Sequence, residues 1–442
     1  MILSKFKNIS GNKKRVFTNV MWALSGKLIN MMSVLFVGIL VARYLGPEQY
    51  GLMNFVISYV ALFTIISNFG LDNIEIRELS KHNEQKDSII GTCLSLRFIF
   101  ATLAIIILLV TLIFLGKDRF TTIMIITYSL TIYSGCFNVI RNYFTSIVKN
   151  EYVVKTEITR TFIGAVIKIV LLLLGMPLYA FVLASIFDTF LVASGYCISY
   201  RKFVGKMKLW YFKRDMVPFL LKESFPLVLS GAAVVIYQRI DQVMIGSMID
   251  FESVGYFSTA GRFLEIVLFL PTILVQTVTP LLIRAKERSQ LEFEHKSRQF
   301  VSIVTWFSII VSFVVMLVAF PLIKYTFGNA YLPAVPVLQI LVWKTVGMAL
   351  SSSGGQLIIM DGIQKWAFIK NLLACFVCIG FNLLLIPKYG IVGSAYVTII
   401  TLLFAGCFAN ILIPPYYKIF KIELYAIFMG WKEILNIKKL LK

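Results

Sequence analysis

Twelve runs of about twenty mainly apolar residues follow one another along the chain, centred near residues 34, 60, 104, 129, 170, 188, 237, 268, 311, 342, 377 and 402. A helix of that length spans about 30 Å of hydrocarbon. The connections are short and polar and leave no room for a soluble domain. The pattern predicts an all-α integral membrane protein with twelve transmembrane helices. Lys and Arg alternate with the connections: the segments 1–18, 72–88, 141–160, 200–215, 284–298, 361–370 and 414–442 hold 31 of the 43, and the intervening ones only Arg43, Lys117, Arg119, Lys324 and Lys388. This bias places the basic segments and both termini on the cytoplasmic side of a bacterial plasma membrane.

Composition agrees. Apolar residues make up 58% of the 442 and the mean hydropathy is +0.83, against about 45–50% apolar usage in soluble domains. The net charge of +21 would suit nucleic acid only if it lay on one accessible face, and it is scattered between spans; no nucleic-acid partner is expected. The first apolar run is too long for the core of a cleaved signal peptide. All six cysteines fall in apolar runs, where Cys packs as a small hydrophobe. No disulfide is expected, and Cys375 and Cys378, lacking a second pair or a nearby His, do not make a metal site. No metal and no cofactor are predicted.

The chain repeats itself. "LSGKLINMMSVLFVGILVARYLGPEQYG" from Leu24 and "LSGAAVVIYQRIDQVMIGSMIDFESVG" from Leu229 share a start, a span and an acidic turn closed by Gly, with Glu48 and Glu252 offset by 204 residues. "PLYAFVLAS" at Pro177 and "PKYGIVGSA" at Pro387 are offset by 210. Six spans per copy give both halves the same orientation, a parallel repeat. The expected division is a six-helix bundle over 1–205, a second over 206–413, and a cytoplasmic amphipathic tail over 414–442. The basic segment between the bundles is expected along the inner headgroups, with Trp210 and Tyr211 at the interface. "SSSGGQ" at Ser351 is a candidate break in span ten.

Seven cations lie within or at the edges of spans: Lys27, Arg97, Lys168, Lys222, Arg239, Arg262 and Lys344. A central charge costs about 2.5–3.5 kcal/mol on insertion scales. Snorkelling accounts for Lys222 and competes for Lys27, but it fails on distance for Arg239 and Asp241. Arg262 and Glu265 are spaced to pair on one helix face. Lys344, Lys168 and Arg97 have no acid nearby on their own helices, so their partners come from another helix, water or substrate. Asn30 shares a face with Lys27, and Asn371 and Asn382 form one polar stripe of interhelical glue. Taken together, these charges point to a water-filled cationic cavity that selects anions, phosphate above all. Lys27, Asn30, Arg97, Arg239, Arg262 and Lys344 are the candidate substrate-binding residues. Asp188, Asp241 and Glu265 are the candidates for coupling to H⁺ or Na⁺.

"VARYLGPEQYGLMNFVIS", "SNFGLDNIEIRELS", "YQRIDQVMIG", "VGYFSTAGRFLE" and "NLLLIPKYGIVGSAYVT", in this order and spacing, resemble the Wzx-type polysaccharide flippases of the MATE-like exporter superfamily. The resemblance touches Gly46, Pro47, Gly51, Arg77, Glu78, Arg239, Asp241, Gly255, Tyr256, Asn382, Pro387 and Gly390. It implies two six-helix bundles that carry an undecaprenyl-pyrophosphate-linked oligosaccharide from the inner to the outer leaflet by alternating access, working beside a polysaccharide polymerase and other envelope assembly proteins, as a monomer. A drug or solute exporter of the same superfamily is the alternative; an acid-rich cavity would suit it, and here cations outnumber acids in the spans. An enzyme would need a sizeable outer loop, which the sequence lacks.

Overall fold

The computed structural model describes the backbone of residues 11–435 and the side chains of residues 30–433. Sixteen α-helices carry nearly all of it: α1 (Gly11–Asn68), α2 (Leu71–Lys81), α3 (Lys86–Leu115), α4 (Arg119–Ser129), α5 (Thr131–Gly135), α6 (Asn138–Ser146), α7 (Asn150–Leu173), α8 (Leu178–Phe203), α9 (Val217–Met248), α10 (Phe251–Arg288), α11 (Gln290–Thr326), α12 (Ala334–Leu341), α13 (Lys344–Met360), α14 (Ala367–Gly406), α15 (Tyr417–Met429) and α16 (Trp431–Leu435). No strand occurs among the described residues. In lipid every backbone donor and acceptor must be satisfied within the protein, and a helix does this within one segment. Among the described residues, nine stretches are long and apolar enough to cross a membrane. Two of them, Asn30–Lys81 and Gln364–Ile411, run to 52 and 48 residues; glycine breaks the first at Gly46 and again at Gly70, and the second at Gly390. Gly46 (φ 74°, ψ 171°) and Gly390 (φ 59°, ψ −140°) take backbone angles that a Cβ would forbid. Pro47 follows the first break as the opening residue of a new helix, where its missing N–H costs nothing.

The chain folds into two compact units, and their limits differ from the sequence halves. One unit holds the residues up to Tyr44 together with Tyr59–Val228; the other holds Leu45–Ser58 and everything from Leu229. The start of the second sequence half therefore packs with the first unit, and fourteen residues of the first half pack with the second.

The first unit is centred on Leu71, Ile89, Ile140, Tyr143 and Tyr200. The basic segment after α8 is tied to α3: Lys213 N donates to Thr92 Oγ1 (2.9 Å) and Tyr211 N to Asp87 O (3.4 Å). Trp210 stacks edge-on against Tyr200, with ring centroids 4.9 Å apart, while the Tyr211 side chain is exposed.

In the second unit "SSSGGQ" lies inside the continuous helix α13, correcting the expected break. The interruption falls earlier, between Leu341 and Lys344, where α12 ends and α13 begins. Asn371 Nδ2 donates to Ser230 Oγ (2.9 Å) and Asn382 Nδ2 to Asp241 Oδ1 (2.7 Å). Equal sequence offsets in the two pairs show that α9 and α14 run parallel, with the expected stripe as their glue. The tail helix α15 buries Ile419, Glu423 and Ala426 on one face, packed on α11 and α13. Trp306 Nε1 donates to Ala426 O (2.9 Å) and Lys418 Nζ pairs with Glu294 (2.6 Å). The tail is thus part of the second core as well as amphipathic.

Glu423 sits in the middle of that buried stripe. Asn410 Nδ2 donates to its Oε2 (2.8 Å), the buried Lys370 acts on it electrostatically, and burial pushes its carboxyl up to about 8. Removing either of two interacting buried polar groups leaves the other without its partner. Glu423→Leu or Lys370→Met alone is expected to lower stability by roughly 3 kcal/mol, with most of it regained in the double variant; thermal unfolding of the three proteins checks this. The folded-state value lies above the unfolded one of 4.5. The wild-type seat is therefore most favourable below that pH and weakens as pH rises through 8, a dependence that Glu423→Leu should remove.

Candidate functional site

The cations predicted from sequence separate into paired and unpaired ones. In the first unit Arg97 has no exposed surface. Its Nε donates to Glu75 Oε1 (2.8 Å), its Nη2 to Glu75 Oε2 (3.0 Å) and Asp72 Oδ1 (2.7 Å), and its Nη1 to Asn68 Oδ1 (3.0 Å). Asn142 Nδ2 joins the same carboxylates at 2.8 and 2.6 Å. The partners of Arg97, a candidate substrate contact in the sequence, come here from α1 and α2, and the guanidinium is buried among them. Asn30 likewise holds α7, accepting from Thr161 Oγ1 (3.0 Å) and Arg160 Nη2 (3.4 Å). Asp188 is paired with Lys168 at 2.5 Å, so two charges that lacked acids or bases on their own helices satisfy each other between α7 and α8. Lys27 lies outside the residues whose side chains are described.

The second unit brings Arg239, Asp241, Arg262, Glu265 and Lys344 to one cavity of about 290 Å³. α9 contributes Gln238, Arg239, Asp241 and Gln242; α10 contributes Phe257, Ser258, Arg262 and Glu265; Lys344 opens α13; Thr398 and Thr401 come from α14. The Leu341–Lys344 interruption puts a cation at the first residue of a helix, facing this space. Asn54 and Ile57 of α1 complete the wall.

The acids in this pocket are engaged to different degrees. Asp241 is buried and accepts from Asn382 Nδ2, from Thr398 Oγ1 (2.8 Å) and from the Cys378 thiol (3.6 Å). Cys375 and Cys378 are free, buried thiols, and the second of them donates to Asp241. Arg262 is held by Tyr50 OH (3.2 Å), by Asn54 Oδ1 (3.5 Å) and, loosely, by Glu265 (3.8 Å). Arg239 and Lys344 differ: neither has a hydrogen bond or a direct ion pair to any described residue. Lys344 faces Asp241, Glu265 and Arg239 only across longer gaps. Two cations with their donors free, beside neutral amides and hydroxyls, form a receptor for an anionic group that also carries hydroxyls. No group of three or more metal-ligating side chains occurs among the described residues.

A model of the family described as "Polysaccharide biosynthesis protein" matches residues 16–286, more than half of the chain. The chain belongs to this polysaccharide biosynthesis family. No curated protein matches it closely enough to count. Among solved structures, the family member resembles the lipid II flippase MurJ in an inward closed conformation (TM-score 0.71, 16% identity, covering 94% of this chain and 93% of that one). It also resembles an inward-facing multidrug resistance MATE transporter of the MOP superfamily (0.68, 16%, 92% and 99%). A third is a MOP superfamily transporter from Pyrococcus furiosus, described as having a binding pocket of reversed polarity (0.59, 15%, 95% and 96%). At these identities the likeness establishes the fold, one shared with these membrane transporters.

Asn54, Thr398 and Thr401 were not singled out from the sequence. The repeat held a signal for the first: with the 204-residue offset, Asn54 corresponds to Ser258 and Ile57 to Gly261, and all four line the pocket.

Proposed function

We propose that this family member is a flippase that carries undecaprenyl-pyrophosphate-linked oligosaccharide repeat units from the inner to the outer leaflet of a bacterial plasma membrane. The carrying observation is the pair of unpartnered cations, Arg239 and Lys344, in one pocket of the second unit. A pyrophosphate is the complement of such a pair: Arg binds it bidentately and Lys as a point charge. Asn54, Gln238, Gln242 and Ser258 suit the hydroxyls of the adjoining sugars, and the prenyl tail stays in lipid. Lys27 receives the substrate from the cytoplasmic side in the same scheme.

Twelve crossings with both termini inside follow if each glycine-broken stretch supplies two and α7, which is too charged to count by composition, supplies one. Outward movement of two negative charges is favoured by an interior-negative potential, at about 2.3 kcal/mol per charge per 100 mV. Asp241, already the focus of three donors, and Glu265, only loosely paired, are the carboxylates proposed to exchange H⁺ or Na⁺ between states. Asp188, held by Lys168, is the candidate in the first unit. A polysaccharide polymerase is the expected downstream partner.

The test is the leaflet distribution of lipid-linked oligosaccharide in depleted cells, read on spheroplasts with an impermeant glycan-binding probe. Accumulation on the inner face, rescued by wild type and not by a Lys27, Arg239 and Lys344 triple alanine variant, is the expected result. An unchanged distribution would leave the solute exporter as the better reading.

A further inference from the structure

The acidic turn that the sequence duplicates packs against its own copy. Pro47 and Phe251, offset by 204, each open a helical stretch, and Gly51 and Gly255, with the same offset, each lie four residues on. A methyl group built on Gly51 would overlap the carbonyl oxygen of Phe251 and lie 2.6 Å from Gly255 N. One built on Gly255 would overlap the carbonyl oxygen of Pro47 and lie 2.9 Å from its carbon. The contact is reciprocal, residue for equivalent residue, as in an isologous twofold interface, and only small residues let two helix backbones come this close. One turn further along, the equivalent pairs Asn54 and Ser258, and Ile57 and Gly261, line the pocket. Tyr50 and Asn54 of one copy hold Arg262 of the other.

We infer that these two helix starts form a seam closing one end of the pocket, and that Gly51 and Gly255 are positioning residues whose bare backbones let it shut. The sequence orientation puts this end at the outer face, so the seam is where a bound substrate leaves. The inference rests on the proposed transport. It also specifies what that transport must move: two equivalent helix starts that part about their own pseudo-twofold axis.

Its test is the reaction of a Ser258→Cys reporter with a membrane-impermeant maleimide added outside intact cells, with the native cysteines as background. The expected result is slow labelling with the native seam and fast labelling, to the same degree, when either Gly51→Ala or Gly255→Ala is added. Gly38→Ala, at a glycine with nothing within 4 Å, should change nothing. Fast labelling with the native seam, or a response to one glycine and not the other, would overturn the inference. If the alanine variants fail to accumulate, Gln49→Cys with Ser253→Cys, equivalent residues of the two helix starts that lie outside the pocket lining, bridged by a short cleavable thiol cross-linker, replaces them: transport lost on bridging and regained on cleavage is expected, and transport indifferent to the bridge refutes the seam. Binding of inorganic pyrophosphate to purified protein separates the two readings. A seam that opens in a protein blind to pyrophosphate would sink the flippase and leave the seam standing.

Discussion

Alanine at Lys344 or at Arg239 should weaken pyrophosphate binding about 10- to 100-fold and stop transport at limiting substrate. A hydrogen bond to a charged group contributes about 1.5–3 kcal/mol, and each 1.4 kcal/mol is a factor of ten in affinity. Both side chains line the same cavity without a protein partner, so neither truncation strands a buried acid that was paired only to it. Stability should change little, and this separates the pair from Arg97. Arg239→Lys should restore part of the loss and Lys344→Arg most of it, because a guanidinium can replace a point charge but an ammonium cannot reproduce a bidentate fork. The two losses should add incompletely, since both cations face one anion. Titration of purified protein with pyrophosphate, at two ionic strengths to expose the screened Coulomb part, reads these four variants and the double alanine variant. Unchanged affinity in both alanine variants would remove the anion pocket.

How much of this was legible in the chain depended on the range over which each signal acts. Apolar run lengths act locally, so the helices and their membrane setting could be read directly. The 204-residue echo acts at long range but is written in the residues themselves, and it held the seam and the Asn54–Ser258 equivalence. The assignment of charges was not legible. Arg97 and Lys344 look alike in sequence, each a cation in an apolar run with no acid one turn away. What separates them is that α2 turns Asp72 and Glu75 toward Arg97, whereas the interruption before α13 leaves Lys344 facing open space. Side-chain pairing between helices distant in sequence depends on helix rotation, which apolar periodicity fixes only to within a face. Glu423 shows the same limit: a single acid among apolar residues of a tail helix gave no sign that its stripe would be buried.

Replacing Arg97 by Met should destabilise the protein by about 3–5 kcal/mol, the cost of breaking a buried ion pair from one side. Glu75 has no exposed side chain and Arg97 supplies two of its contacts, so the substitution leaves a buried carboxylate that has lost its cation and keeps the neutral Asn142 amide and Cys93 thiol. Arg97→Lys should recover little: an ammonium cannot place donors on Glu75, Asp72 and Asn68 at once, as the planar fork does here. Replacing the acids too, as Arg97→Met with Glu75→Leu and Asp72→Asn, should regain most of the loss, because a well-packed apolar substitute for a buried charge cluster is often neutral or better. Thermal unfolding in one detergent gives the ranking. Pyrophosphate affinity supplies the independent readout, and it should be unaffected in whichever of these proteins folds, because the network belongs to the first unit and the pocket to the second. An Arg97→Met protein of full stability that had lost pyrophosphate binding would return Arg97 to the substrate, and the network around it would then be the resting arrangement of a ligand-binding group.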